Sequence, residues 1–114
     1  MKISIGCDIE EISRFENKKE LFLNKIYTKS EQEYCAGFSD SAPHLAVRYC
    51  AKEAVVKALN DFNIKDVYYS DIEISNNSDG APYVTIKKYP NLKIKISLSH
   101  SKSYATATAL IFED

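Results

Sequence analysis

The chain has 114 residues, enough for one domain, and a chain of that size buries roughly 65% of the surface it exposes when unfolded. Hydrophobic residues make up 45% and charged residues 27%, an ordinary soluble composition, and the formal net charge of −1 excludes a global field that would attract nucleic acid or an anionic membrane. No stretch approaches the about 20 apolar residues that span a bilayer, and the amino terminus lacks the apolar run of a signal peptide.

Lys2 to Ile9 alternates and is β-branched, which predicts a first strand. Glu10 to Phe15, Glu20 to Ile26 and Ser30 to Cys35 read as three short helical pieces, the last opened by a Ser30/Glu33 capping box. His44 to Leu59 is the longest helical candidate, with Pro43 at the entry where helices tolerate proline. Ser70 to Ser75 alternates as a strand, Asn76 to Gly80 is a turn cluster, and Tyr83 to Lys87 is the returning strand. Ile94 to Ser99 and Tyr104 to Phe112 read as two more strands joined at Ser99 to Lys102. Strand, helices, then a run of strands predicts a single α+β domain over residues 1–114 with an antiparallel sheet. Cys7, Cys35 and Cys50 are odd in number and widely spaced, so buried reduced thiols and a cytoplasmic location are expected.

Three segments hold candidate chemistry. In the long helix, Leu45, Tyr49, Val56 and Leu59 fall on one side and Val47, Ala51, Ala54 and Ala58 on the other, at about 100° per residue, which predicts burial. The same helix carries Arg48, Lys52, Glu53 and Lys57. Glu53 and Lys57, four apart, are neighbours; they form either an ordinary helical ion pair or a functional pair on an apolar element where idle charge is costly. Asp8, at the end of the first strand, suits either a metal ligand or a helix N-cap. Ser97 to Ser103 gathers hydroxyls and cations between two apolar strands, suited either to binding a phosphate or to forming a polar hairpin turn. His44, at a helix start, suggests no role.

Together these segments resemble the 4′-phosphopantetheinyl transferases of the small holo-acyl-carrier-protein synthase type. The pattern is a Gly-x-Asp near the amino terminus and an aromatic-x-x-Lys-Glu-Ala-x-x-Lys helix, present as Gly6-Cys7-Asp8 and as Tyr49 to Lys57. The resemblance takes in Arg14, the Ile26 to Glu31 stretch, Asp71 to Ile74, Gly80 to Tyr83 and Ile96 to Ser101, almost the whole chain. It implies an antiparallel sheet packed on a long central helix, in a single half-unit of the fold. It also implies homotrimers with active sites between subunits.

The implied reaction moves the phosphopantetheine arm of coenzyme A onto a serine of an apo-acyl carrier protein and releases adenosine 3′,5′-bisphosphate. By resemblance, Asp8 and Glu53 hold Mg²⁺ and Lys57 faces the leaving bisphosphate. Arg48, His100 and Ser101 meet the nucleotide phosphates, Pro82 lies beside the adenine, and Arg14 contacts the carrier. Lys18, Lys19 and Lys25 either extend that docking surface or form a solvated helix face. Three features depart from the pattern: Asn60 to Ile64 replaces a Gly-Thr-Gly-like segment, Tyr49 stands where Phe or Trp is usual, and Ser101 stands where Thr is frequent. Two other readings use the same residues, a Mg²⁺-dependent nucleotide hydrolase and a non-catalytic module that binds carrier proteins or nucleotides.

Overall fold

The computed structural model describes residues 1–113. Its first strand, β1 (Lys2–Glu11), runs two residues further than the alternation predicts, because its antiparallel partner holds it to the end, with Glu10 opposite Ala105 and Glu11 opposite Tyr104. The helical piece expected from Glu10 therefore shrinks to a 3-10 turn at Ile12–Phe15. The isoleucines of β1 do not face the core. Ile3, Ile5 and Ile9 are 55%, 67% and 64% exposed, while Ser4 and Gly6 are buried and Asp8 and Glu10 half-buried on the opposite face. Cys7 shares the outward face and is exposed, a correction to its expected burial; Cys35 and Cys50 are buried, and all three are free thiols.

Helix α1 (Glu20–Ile26) falls where it was predicted, and α2 (Lys29–Ala36) begins one residue earlier than expected. Its capping box is Thr28/Glu31 and not Ser30/Glu33: Glu31 N donates to Thr28 Oγ1 (3.2 Å) and Thr28 N to Glu31 Oε1 (2.8 Å). The choice is tertiary. Glu31 is 2% exposed, and its second oxygen accepts from Ile74 N at 2.8 Å, whereas Glu33 stays exposed.

Helix α3 (Ala42–Asp61) is 20 residues long, with Pro43 in its first turn. It is buried on nearly every side, as its two apolar stripes predict: Ala46, Cys50, Ala51, Ala54, Val55 and Ala58 are all 0% exposed. A 3-10 turn at Tyr69–Asp71 leads into the hairpin of β2 (Ile72–Asn76) and β3 (Pro82–Ile86), with Gly80 at φ 91° in the turn where a side chain would be strained. Strands β4 (Lys93–His100) and β5 (Tyr104–Glu113) complete the chain.

The strands form two antiparallel sheets, β1-β5-β4 and β2-β3. The expected α+β class holds, with the sheet divided in two. The inward row of β5 (Ala105, Ala107, Ala109 and Ile111) is at most 1% exposed and mostly alanine, so the larger sheet can lie close to the alanine-rich flank of α3.

One ion pair ties the far side of α3 to the rest. Lys52 Nζ lies 2.8 Å from Glu31 Oε1 with both side chains fully buried, and it also donates to the carbonyls of Tyr69 (2.9 Å) and Ile72. Burial pushes the lysine's affinity for its proton down and the Glu31 charge pulls it back up. The pair pins α2, α3 and the entry to β2 in one register. Among the described residues no helix is long and apolar enough to cross a membrane.

Candidate active site

Gly6 brings β1 and α3 together. A Cβ built there would sit 1.9 Å from the carbonyl oxygen of Ala54 and 2.9 Å from the amide nitrogen of Ala58. Only glycine permits that approach, and Ser4 Oγ donating to Ala58 O (2.8 Å) locks the crossing. Period-2 alternation then places Asp8 and Glu10 on the same face as Gly6, beside the turn of α3 that carries Glu53 and Lys57.

Asp8 is therefore a mid-strand residue and not a helix N-cap. Lys57 Nζ donates to Cys7 O (2.8 Å) and lies 3.3 Å from Asp8 Oδ1; the Asp8 side chain is 10% exposed and that of Lys57 49%. The other Asp8 oxygen, Oδ2, is buried without a hydrogen-bond partner. Thr106 Oγ1 donates to the Asp8 carbonyl (2.9 Å), which steadies the backbone there.

Glu53 holds its proton more tightly than a free glutamate, first because it is partly buried and then because of the Asp8 charge, with Lys57 opposing. Lys57 thus pairs with Asp8, and its charge also acts on Glu53.

Glu10 is the acid that sequence reasoning passed over. Its pKa rises to about 7, through burial first and then the nearby Asp8 carboxylate; Arg14 lowers it and Glu53 adds a smaller push upward. Arg14 Nη1 sits 2.8 Å from Glu10 Oε1. Tyr49 backs the cluster: its pKa is raised by burial and then by Glu53, Glu10 and Asp8 in turn. The signal for Glu10 was its spacing of two from Asp8, readable only once the segment is known to be strand. Among the described residues no group of three or more His, Cys, Asp or Glu side chains is placed to hold a metal ion by itself.

The expected nucleotide-binding residues form a second cluster, toward the start of α3. Arg48 is 4% exposed; its Nη2 donates to Asn76 Oδ1 (2.7 Å), its guanidinium lies 4.3 Å from the Tyr34 ring centre, and its buried Nε has no partner. Asn76 pairs in register with Pro82, so Arg48 and Pro82 share one region. Asn76 was read only as part of a turn.

His44, to which the sequence assigned no role, stacks on Phe38 (3.7 Å between ring centres, 17° between planes). Its pKa is lowered by burial first, then by the charges of Arg48 and His100, which draws His100 into the same cluster. The Ser99 to Lys102 connection is a tight hairpin turn. The Ser101 hydroxyl accepts from Tyr104 N (3.2 Å) and Ser103 N (3.4 Å), and Ser101 N donates to Tyr104 O (2.8 Å). Both oxygen lone pairs of Ser101 serve the turn, and its hydroxyl donates at the long distance of 3.5 Å to Tyr104 O. Arg14 projects from the first 3-10 turn with its side chain 67% exposed. Lys18 leans over the Phe22 ring at 4.6 Å, while Lys19 and Lys25 are exposed.

A carboxylate cluster beside a lysine, with an arginine and a histidine along the same helix and a second histidine at the end of β4, is the equipment of an enzyme that handles a phosphorylated nucleotide. Comparison with known proteins narrows the class: the chain belongs to the 4′-phosphopantetheinyl transferase superfamily, whose profile matches residues 4–109. It is 44% identical to the holo-[acyl-carrier-protein] synthase of Protochlamydia amoebophila, over 96% of this chain and 98% of that one. It is 43% identical to the synthase of that name from Thermodesulfovibrio yellowstonii, over 94% and 96%. Two solved structures share the fold. A Bacillus anthracis holo-(acyl-carrier-protein) synthase in complex with CoA (3′,5′-ADP) superposes with TM-score 0.83 at 32% identity, covering 95% of this chain and 94% of that one. The Helicobacter pylori synthase in complex with coenzyme A gives 0.81 at 30%, covering 95% and 99%.

Proposed function

We propose that this chain transfers the 4′-phosphopantetheine arm of coenzyme A to a serine hydroxyl of an apo-acyl carrier protein, releasing adenosine 3′,5′-bisphosphate. What supports the reading is the seam between β1 and α3, where Lys57 pairs with Asp8, the charges of Asp8 and Lys57 act on Glu53, and one Asp8 oxygen is left uncommitted. The closely related synthases and the coenzyme A complexes of two relatives supply the substrates.

In the reaction the serine oxygen bonds to the β-phosphorus of coenzyme A, and the bond from that phosphorus to the bridging oxygen breaks. Such a transfer depends on alignment and on neutralising charge. Lys57, the cation at the seam, faces the diphosphate and offsets the charge that builds on the leaving bisphosphate. Glu53, whose proton affinity is raised, accepts the serine proton directly or through a water beside it. Arg48, His100, Ser101 and Pro82 hold the nucleotide.

The donor set fits Mg²⁺. The seam offers oxygen ligands, one of them the orphaned buried Asp8 Oδ2, and magnesium takes only one or two carboxylates. Asp8 and Glu53 would hold the ion. Bound there, it would supply a Lewis acid that withdraws charge from the diphosphate.

Arg14, exposed at the edge of the cluster, is assigned to the acidic carrier. The outward face of β1, carrying Ile3, Ile5 and Ile9, suits packing against further copies of the chain, as a homotrimer with active sites between subunits requires. The free thiols suit a cytoplasmic setting. The test is incubation with apo-acyl carrier protein, coenzyme A and Mg²⁺, followed by mass spectrometry of the carrier. Addition of phosphopantetheine is expected; hydrolysis of coenzyme A with an unmodified carrier would overturn the proposal in favour of a hydrolase.

A further inference from the structure

Helix α3 buries two cations and treats them differently. Lys52, fully buried, faces the Glu31 carboxylate at 2.8 Å. Arg48, one turn earlier and 4% exposed, forms no ion pair with any carboxylate among the described residues. Its contacts are neutral: Asn76 Oδ1 accepts from Nη2, the Tyr34 ring lies against the guanidinium, and the buried Nε has no partner. Glu31 is committed elsewhere, to Lys52 and to the amides of Thr28 and Ile74. A buried charge without a counter-ion is costly, so this arrangement calls for an anion from outside the chain.

Asn76 is the group that holds the guanidinium. Its amide oxygen faces Arg48 at 2.7 Å, and its amide nitrogen donates to Gly80 O at 2.9 Å across the turn between β2 and β3. A guanidinium only donates and a carbonyl only accepts, so each end of the amide is dictated by its partner. Asn76 also pairs in register with Pro82, the first residue of β3. One side chain therefore ties the first half of α3 to the hairpin turn and its returning strand.

We infer that Asn76 is a positioning residue for the donor nucleotide, fixing Arg48 beside Pro82 while leaving its positive charge undiminished; the inference rests on the transferase reading above. The choice of an amide has a physical reason. A carboxylate at the same place would accept the bond more strongly and cancel the charge that an incoming phosphate needs. That charge is felt across the cluster: His44 holds its proton less tightly first because of burial, then because of Arg48 and His100, with Asp40 opposing.

Calorimetric titration of the full chain with adenosine 3′,5′-bisphosphate, beside thermal melts by circular dichroism, tests this in two variants. Asn76→Ala removes the tie and leaves the Arg48 charge; Asn76→Asp keeps an acceptor for Arg48 and neutralises it. Relative to wild type, Asn76→Ala is expected to bind the bisphosphate about threefold more weakly and Asn76→Asp at least about tenfold more weakly. The melting temperatures should run the other way, with Asn76→Asp at or above Asn76→Ala, because an ion pair replaces the lost bond. A purely structural tie would give the aspartate variant the better binding of the two. That result, or wild-type affinity in either variant, would overturn the inference and leave the transferase reading standing. An aspartate variant that no longer folds would overturn it as well, since an uncompensated guanidinium should accommodate a carboxylate. A wild-type chain that binds neither the bisphosphate nor coenzyme A would sink both.

Discussion

Replacing Gly6 with alanine puts a methyl group where the backbone of α3 already lies. The new Cβ would meet Ala54 O at 1.9 Å, Ala58 N at 2.9 Å and Ala54 C at 3.0 Å, against 3.4–4 Å for ordinary contact. All three are backbone atoms, so no rotamer change relieves the overlap and β1 must move off the helix. Overpacking typically costs about 1–3 kcal/mol, and a backbone clash this deep belongs at about 3 or above. At roughly 4–8 °C per kcal/mol for a small domain, the melting temperature should fall by about 12–24 °C. The same movement carries Asp8 away from Lys57 and stretches the Ser4–Ala58 hydrogen bond. Transfer activity, measured at a temperature where the variant is still folded, should therefore drop further than the loss of folded protein explains. Thermal melts by circular dichroism and carrier modification by mass spectrometry read the two effects separately. A Gly6→Ala protein with an unchanged melting temperature would refute the claim that the glycine sets the strand-to-helix approach.

Glu53→Gln should remove most transfer activity and leave the melting temperature near wild type; near-normal turnover would remove Glu53 from the proposed machinery. Lys52→Met leaves the Glu31 carboxylate buried without its cation and should cost roughly 3–5 kcal/mol in denaturant unfolding. Lys52→Met with Glu31→Gln should recover part of that, and a single variant no worse than the double would contradict the ion-pair account. Because burial and the charges of Arg48 and His100 lower the His44 pKa, the folded state binds that proton less readily than the unfolded state. Its contribution is complete above the ordinary value of 6.5 and is lost as pH falls below it; His44→Phe, which keeps the stack on Phe38, should flatten the decline in melting temperature on the acid side, and an unaltered decline would exclude His44 as its source. Arg14→Glu should weaken carrier binding far more than coenzyme A binding, and equal losses would argue against docking there.

Helix α3 was legible because its two apolar stripes and the proline at its entry are local signals. The hairpin of β2 and β3 was legible for the same reason, in its alternation and its Asn-rich turn. What escaped depends on partners far along the chain. Glu10 was read as the start of a helix, which rotates it off the Asp8 face; pairing with Ala105 makes it strand and brings the third acid into the seam. Thr28 and Ser30 each stand three residues before a glutamate, so both are capping boxes by pattern. Only the buried Lys52–Glu31 pair and the Ile74 amide select the first. The burial of Lys52 was equally invisible, since two apolar stripes mark the helix as buried without saying which of its charges goes inside.

The departure after α3 acquires a physical meaning in the same way. Where the family pattern suggests a glycine-rich segment, Asn63 adopts φ 58°, the left-handed conformation that asparagine tolerates better than most residues. Its amide donates to Asn60 O (3.0 Å) and the Ile64 amide reaches back to Leu59 O (3.1 Å), the paired bonds of a Schellman helix ending. Ile64 then packs against the core. The backbone reversal that glycine would provide is thus preserved by a residue with a side chain, and α3 stops four residues past Lys57, at Asp61. The substitution therefore leaves the stretch of α3 from Arg48 to Lys57 intact.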